Sequence, residues 1–521
     1  MAVGSTGDIE KLAGSSTIWT DLEGRTVIPG LIDAHLHPDS ASTSELVDEI
    51  PDVRRIDDLI NWIKAQARTK KEGEWIIHPK YFPTRIKEMR WPALEELDIA
   101  APRSPVFLNG TYAGMSNSAA MRAANITKDS EDPGIVTDAE TGQLSGLLHA
   151  SSFHLLGMDR LPPMTYEAQL DALEKMIRRY NQVGLTGLGS GLGDHSTLDM
   201  YNELKKRGQL TARIFQNISF PIDIGKSEEE IRRGLIRLGY HTGSGDEWAR
   251  VGALKAWIDG GILTGTAFLR EPWGARAKEI YGLSDAAYRG EPQINKEALA
   301  TVGTVAQQLG WKFTAHCTGG AGVDLMLDAF EEVNSSSPLK DRRYSIIHGN
   351  FYTPEAMKRM SRLGVYADMQ PAWFYKDADA MKYLLGESRI KLFHPYKSLF
   401  DAGVMVNGGS DHMVKYDSYT AINPYNPFLS MWSTITRKTE RGSTIVPEEA
   451  ITREQALKMY TINNAYGSFE EKIKGSIEPE KLADLVVISE DFLDCPVDRI
   501  KAIKAEMTMV GGEIVHTRGS F

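Results

Sequence analysis

Eight short apolar runs recur along this chain, and their alternation with amphipathic helices restricts the fold more than any other feature. They are "VIPGLIDAHLH", "LTGLGSG", "LTARIFQNISF", "VGALKAWIDGG", "WKFTAHCTGG", "RYSIIHGN", "VYADMQP" and "VMVNGGSD". Between them lie segments of helical periodicity such as "YEAQLDALEKMIRRYNQVG", which ends on Gly184 as a C-terminal helix signal. Strands alternating with helices specify a parallel sheet. Eight of them favour an α/β chain folded as a (β/α)8 TIM-type barrel over an open doubly wound sheet. No G-x-G-x-x-G opens a helix after a strand, so a dinucleotide fold has no support.

The alternation breaks in two places. Residues 38–165 contain "GEWIIHPKYFP", "RWPALEELDIAAPRSPVFLNGTY" and "GIVTDAETGQLSGLLH", the last reading as a hairpin with its turn at "AETGQ". This stretch is expected to be a subdomain inserted near the barrel mouth, within a barrel spanning 30–455. The tail, with "ADLVVISE" and "IKAEMTMVGGEIVHT", reads as short strands. Residues 456–521, joined by 1–29, are expected to form a small β-sandwich domain.

Composition sets the class. A hydrophobic fraction of 42% and a charged fraction of 25% are those of an ordinary soluble enzyme. No apolar run reaches the ~18 residues a membrane helix needs, and the first residues lack a secretory pattern. Two cysteines, Cys317 and Cys495, give no disulfide framework, so a reducing cytoplasm is the expected compartment. The formal net charge of −11 without a basic block argues against nucleic acid or an anionic membrane as partner. A small molecule remains as the expected substrate.

The chemistry stands at the strand ends. His35 and His37 form His-x-His at the end of the first run, and i and i+2 in a strand share a face, so both imidazoles can converge on one ion. Lys255, His316, His348 and Asp411 follow at or after the ends of later runs. The C-terminal end of its strands is where a barrel keeps its chemistry. Imidazole and carboxylate suit zinc and related divalent metals. Asp411 can both bind a metal and accept a proton as general base. A buried Lys255 is pushed towards its neutral form, which can add CO₂ to give a carbamate; its rival reading is an ion pair with Asp259. Cys317 should face away from His316 as a small buried hydrophobe, and His412 should point away from Asp411. Trp257, Trp273, Trp373, Phe374, Tyr375 and Tyr112 gather near the expected mouth, either as a wall for an apolar substrate or as ordinary packing.

With these residues in hand, the chain resembles the amidohydrolase superfamily, and more closely its YtcJ-like long-chain branch, which includes N-substituted formamide deformylases. "VIPGLIDAHLH" resembles the opening metal motif, "LKAWIDGGI" the lysine strand, "GSD" the final aspartate, and "KLADLVVISEDFLDCPVDRIKAIKAEMTMVGGEIVHT" the closing β-domain. The resemblance implies that His35, His37 and Asp411 hold one metal, that His316 and His348 hold a second, and that carboxylated Lys255 bridges them. One or two divalent ions per chain, zinc first among them, are therefore expected. Homodimers are also common in the family.

Four departures stand out. Relatives carry some thirty or more residues before "AVGS", so the β-domain is expected to lack strands and expose an edge. "HCTGGA" stands where the family often has H-A-I-G-D-R, Ile347 where it has glutamate, and a residue near Tyr112 where it has histidine.

The expected function is metal-dependent hydrolysis of a C–N bond in a small amide, N-acyl, N-formyl or carbamate substrate through a metal-activated hydroxide. Asp411 and Lys255 are the catalytic candidates, and Trp257, Trp373 and Tyr112 the substrate-binding ones. Ester or lactone hydrolysis, or metal-assisted decarboxylation, fits the same residues. An inactive binding scaffold is the alternative of another class. A sugar-active barrel would need a second mouth-facing carboxylate beside Asp411.

Overall fold

Eight parallel strands run in chain order around a barrel in the computed structural model, which describes all residues except 47–48, 139–140, 158–163, 221, 223–224, 284 and 520–521. They are β1 (Leu31–Leu36), β2 (Leu185–Gly193), β3 (Arg213–Ser219), β4 (Ala249–Trp257), β5 (Phe313–Cys317), β6 (Ser345–His348), β7 (Tyr366–Met369) and β8 (Val406–Gly408). Each pairs in parallel with the next. The seam between β8 and β1 is stitched by side chains, with Asp33 Oδ1 accepting the Ser410 N–H at 3.1 Å and Asn464 bonding both strands. Asn464 Oδ1 accepts the Gly408 N–H at 3.2 Å, and its Nδ2 donates to the Ile32 carbonyl at 2.5 Å and the Gly408 carbonyl at 2.8 Å. Just beyond, the His35 carbonyl accepts the Asp411 N–H at 2.6 Å, and the His412 carbonyl accepts the His37 N–H at 2.7 Å. Closure thus sets the first and last candidate ligands side by side.

Helices cover the outside of the barrel, and their ends are written locally. In Pro354–Leu363 the Thr353 side chain accepts the Ala356 N–H, proline occupies the first turn, and Gly364 closes the helix at φ +69°. Gly184 likewise follows Tyr166–Asn181 at φ +87°, as its sequence position implies. The helices' apolar faces and the strands' outward side chains form one core, containing Leu173, Tyr180, Ile214, Phe313 and Phe330.

Between β1 and β2 the chain builds a five-stranded sheet in the order Ile76–His78, Val106–Asn109, Ala113–Ser116, Leu144–His149, Ile135–Thr137. Its last two strands are the hairpin read from the sequence; turn positions 139–140 lie outside the described residues. A buried fork ties this subdomain down: Arg85 donates from Nε and Nη2 to both oxygens of Asp377, at 2.8 and 2.7 Å, on the helix Pro371–Arg389 after β7.

The small β-domain is a single leaf among the described residues. Thr26–Pro29, Leu485–Ile488, Ala505–Val510 and Glu513–Thr517 pair antiparallel in that order. The N-terminal segment contributes one strand, so no second layer forms opposite it. The barrel takes the place of that layer: Val486, Ile488 and Ala505 are buried in the same core as Leu31 and Leu185. The helices Arg453–Met459 and Ile462–Gly467 belong with the barrel, where Asn463 and Asn464 bond β8. The first tail strand to pair into the leaf is Leu485–Ile488. Arg213 on β3 joins leaf to barrel through Asp484, with Nε at 2.7 Å and Nη2 at 3.0 Å from its two oxygens.

Candidate metal centre

One polar cluster sits at the C-terminal end of the barrel. His35 Nε2 and His37 Nε2 lie 3.5 and 3.2 Å from Oδ1 of Asp411. Ligand atoms of these three residues all fall within 4.8 Å of one another. The two imidazoles meet edge to face with centroids 5.2 Å apart, so the His-x-His pair converges as its spacing predicts. Gly191 on β2 makes room for it: a Cβ there would stand 2.5 Å from His35 Cε1. Asp411 adopts φ +56° and His348 φ +73°, a region L-residues rarely occupy. Such strain concentrates where a side chain must be aimed.

The other candidates share the same cavity of about 590 Å³. Lys255 is 2% exposed, with Nζ 3.3 Å from His35 Nε2. It is not paired with Asp259, whose oxygens instead accept the backbone N–H groups of Phe268, Thr318 and Gly319 at 2.9, 2.8 and 2.7 Å. His316 and His348 meet with centroids 4.6 Å apart. They remain beside the trio rather than within its ligand-distance set. His316 Nε2 lies 2.9 Å from the Gly260 carbonyl and 3.0 Å from the Tyr112 hydroxyl. His348 Nδ1 lies 2.8 Å from Gln370 Oε1, and its ring stacks on Trp373 at 4.6 Å.

Burial fixes the charge states. It holds His35 down to about 3, with help from the Lys255 ammonium, and His316 down to about 4. His348 lies well below its ordinary value for the same reason, reinforced by His316. All three are therefore neutral near pH 7, the form that binds metals. Burial also lowers Lys255 to about 8, partly offset by Asp411 and Asp368. It opposes the charge on Asp411, yet the His35 and His37 side chains hold that carboxyl well below the usual range. Two imidazoles around one anionic oxygen form a donor set that fits a divalent cation.

Trp257, Trp373 and Tyr112 line the cavity, whereas Trp273 and Phe374 pack inside a separate apolar cluster and Tyr375 against the main core. His412 turns away, its Nδ1 2.8 Å from the Tyr180 hydroxyl and its Nε2 2.7 Å from the Lys415 carbonyl. Cys317 is fully buried among apolar side chains, and burial raises its thiol. Three residues escaped the sequence reading. Gln370 follows β7 at a strand end like the ligands, a signal that was present. Asn423, whose Nδ2 donates to the Asp411 carbonyl at 2.7 Å and to Oδ2 at 3.3 Å, comes from a loop. Lys80, in the cavity wall, comes from the insertion.

Residues 19–516 match the amidohydrolase family. The chain belongs to that family. It is 27% identical to the N-substituted formamide deformylase of Arthrobacter pascens, over 99% of this chain and 93% of that protein. It is 24% identical to the putative amidohydrolase YtcJ of Bacillus subtilis, over 98% and 92%. An uncharacterized metal-dependent hydrolase from Pyrococcus furiosus has the same fold, with a TM-score of 0.65 at 23% identity, covering 94% of this chain and 92% of that one. Family membership makes this amidohydrolase a hydrolytic enzyme acting on a small molecule, and its donor set suits a divalent metal. Among the described residues no helix is long and apolar enough to cross a membrane.

Proposed function

We propose that the enzyme hydrolyses the C–N bond of a small amide, N-acyl, N-formyl or carbamate compound. One observation carries the reading: all six metal-capable side chains reach a single cavity, with His35, His37 and Asp411 at mutual ligand distance. Similarity to a deformylase of N-substituted formamides supports the bond type. A divalent ion, proposed to be zinc and one or two per chain, would supply Lewis acidity and a water that ionises near neutral pH. His35, His37 and Asp411 would hold one ion, and His316 and His348 a second. The neutral amine of Lys255 could add to the carbon of CO₂ and lose a proton, and the resulting carbamate would join the residues that hold the ions. Asp411, ionised and steadied by Asn423, accepts the proton of the attacking water and passes it to the leaving nitrogen. Burial keeps the Tyr112 phenol protonated, so its O–H can donate to a substrate carbonyl oxygen. Trp257 and Trp373 give apolar walls.

Elemental analysis of protein purified without chelator is expected to find one to two divalent ions per chain. None, even after zinc or manganese is added with bicarbonate, would sink the proposal. Lys255→Ala is expected to lose at least about half of the bound metal, since removing a bridging ligand weakens both positions. Full occupancy in that variant would take Lys255 out of the ligand set.

A further inference from the structure

We propose that the substrate carries a carboxylate, seated on Lys415 and Lys80 in a second cavity adjoining the metal-site cavity. This rests on the amide-hydrolase reading and narrows its substrate class. The second cavity, of about 420 Å³, shares Lys80 and Phe82 with the first and is also lined by Lys415, His78, Arg54 and Lys376. Lys415 is only 9% exposed, and among the described residues its ammonium has neither a hydrogen bond nor an ion pair. Its backbone is tied on both sides, the N–H donating to Ser44 Oγ at 3.0 Å and the carbonyl contacting His412 Nε2 at 2.7 Å. Lys80 donates to Thr111 Oγ1 at 2.6 Å and meets no carboxylate within ion-pair distance among the described residues.

The acids nearby are already engaged. Asp52 pairs with Arg54 at 3.0 Å and Glu440 with Lys376 at 2.7 Å. Asp417 accepts the backbone N–H groups of Tyr419 and Thr420 at 3.0 and 2.7 Å. The cavity's own carboxylates, Asp52 and Glu440, are taken by Arg54 and Lys376, and Asp417 reaches Lys415 only at Coulomb range. Two ammonium groups therefore face the cavity without a paired carboxylate, an arrangement that a bound anion would stabilise. Lys80 lies in the wall common to both cavities, within Coulomb range of Asp411. A bound anion is repelled by the Asp411 carboxylate, so it belongs on the Lys415 side with the scissile amide over the metal cluster. That orientation describes an amide whose carboxylate stands several atoms from the C–N bond. Phe82 lines both cavities, and Trp257 and Trp373 line the metal-site one.

The test compares 4-(formamidomethyl)benzoate with its neutral carboxamide, 4-(formamidomethyl)benzamide, on the metal-loaded enzyme. Wild type is expected to favour the carboxylate by about tenfold or more in kcat/KM, the scale of one charge-assisted contact. Lys415→Met should bring the two substrates to parity through KM, leaving kcat and turnover of the carboxamide near wild type. Lys415→Arg should keep the preference. Equal use of both substrates by wild type, or a preference unmoved by Lys415→Met, overturns the proposal. If neither compound is hydrolysed, the reaction class is at fault. Calorimetry with 4-methylbenzoate and 4-methylbenzamide then judges the subsite alone. Tighter carboxylate binding that Lys415→Met removes supports it, and binding unchanged in that variant overturns it.

Discussion

Asp411→Ala is expected to lower kcat by roughly 10²–10⁴-fold, the range for a lost general base. Metal content should fall as well, because Oδ1 is the atom that both His35 and His37 approach. The fold should survive. What Asp411 contributes to the barrel seam is backbone: its N–H donates to the His35 carbonyl at 2.6 Å, and its carbonyl accepts from Asn423 at 2.7 Å. Alanine at φ +56° adds a backbone penalty of about 1–2 kcal/mol. Asp411→Asn avoids most of it, since asparagine tolerates that region and keeps the shape. Steady-state rates, metal analysis and circular dichroism on both variants are the readouts. Wild-type turnover in either would refute the proposed role.

Asp484→Ala is expected to be the most damaging single change to stability, about 3–5 kcal/mol, because it strands a buried guanidinium. The side chains of Arg213 and Asp484 are 1% and 4% exposed. Asp484 Oδ1 also accepts the Gly511 N–H at 2.8 Å, so the loss reaches the turn between the last two strands of the leaf. Arg213 keeps its stack on Trp248 at 4.7 Å, a bond to the Glu247 carbonyl at 3.2 Å and a looser contact with the half-exposed Glu247 carboxylate at 3.7 Å, which offsets little of the lost pairing. Urea titration followed by tryptophan fluorescence measures the effect, and hydrogen exchange across 485–510 locates it. Replacing both partners together, Arg213→Met with Asp484→Leu, should restore part of the loss. A shift under about 1 kcal/mol in Asp484→Ala would mean the leaf is held by its apolar face alone.

How much of this was legible beforehand differs by level. Period-2 apolar runs alternating with period-3.6 helices are local properties, and short connections leave such a chain few closed arrangements. The eight strands and the position of each candidate ligand at or after a strand end could therefore be read directly. The small domain is less legible. Whether "TREQALKMYTINNAYGS" serves the leaf or the barrel depends on where Asn463 and Asn464 find unpaired carbonyls, and no local pattern encodes that. The aromatic residues divide in the same way. Trp373 and Phe374 share one apolar cluster, yet only Trp373 also reaches the cavity, because successive residues of one helix point in different directions.

The sequence by itself determined the parallel barrel, the order of its strands and the identity of the ligand candidates, since periodicity and side-chain chemistry act at short range. Tertiary structure alone decided which of them meet. His37 and Asp411 are separated by 374 positions and become neighbours only because the barrel closes between β8 and β1. The same closure buries Lys255 beside His35 and leaves Asp259 to three backbone amides, so Lys255 makes no ion pair with Asp259. Lys80 and Lys415 carried no local signal, because a lysine's meaning depends on whether a carboxylate lies within reach. Only tertiary packing sets their ammonium groups before a cavity whose own carboxylates, Asp52 and Glu440, are paired with other cations.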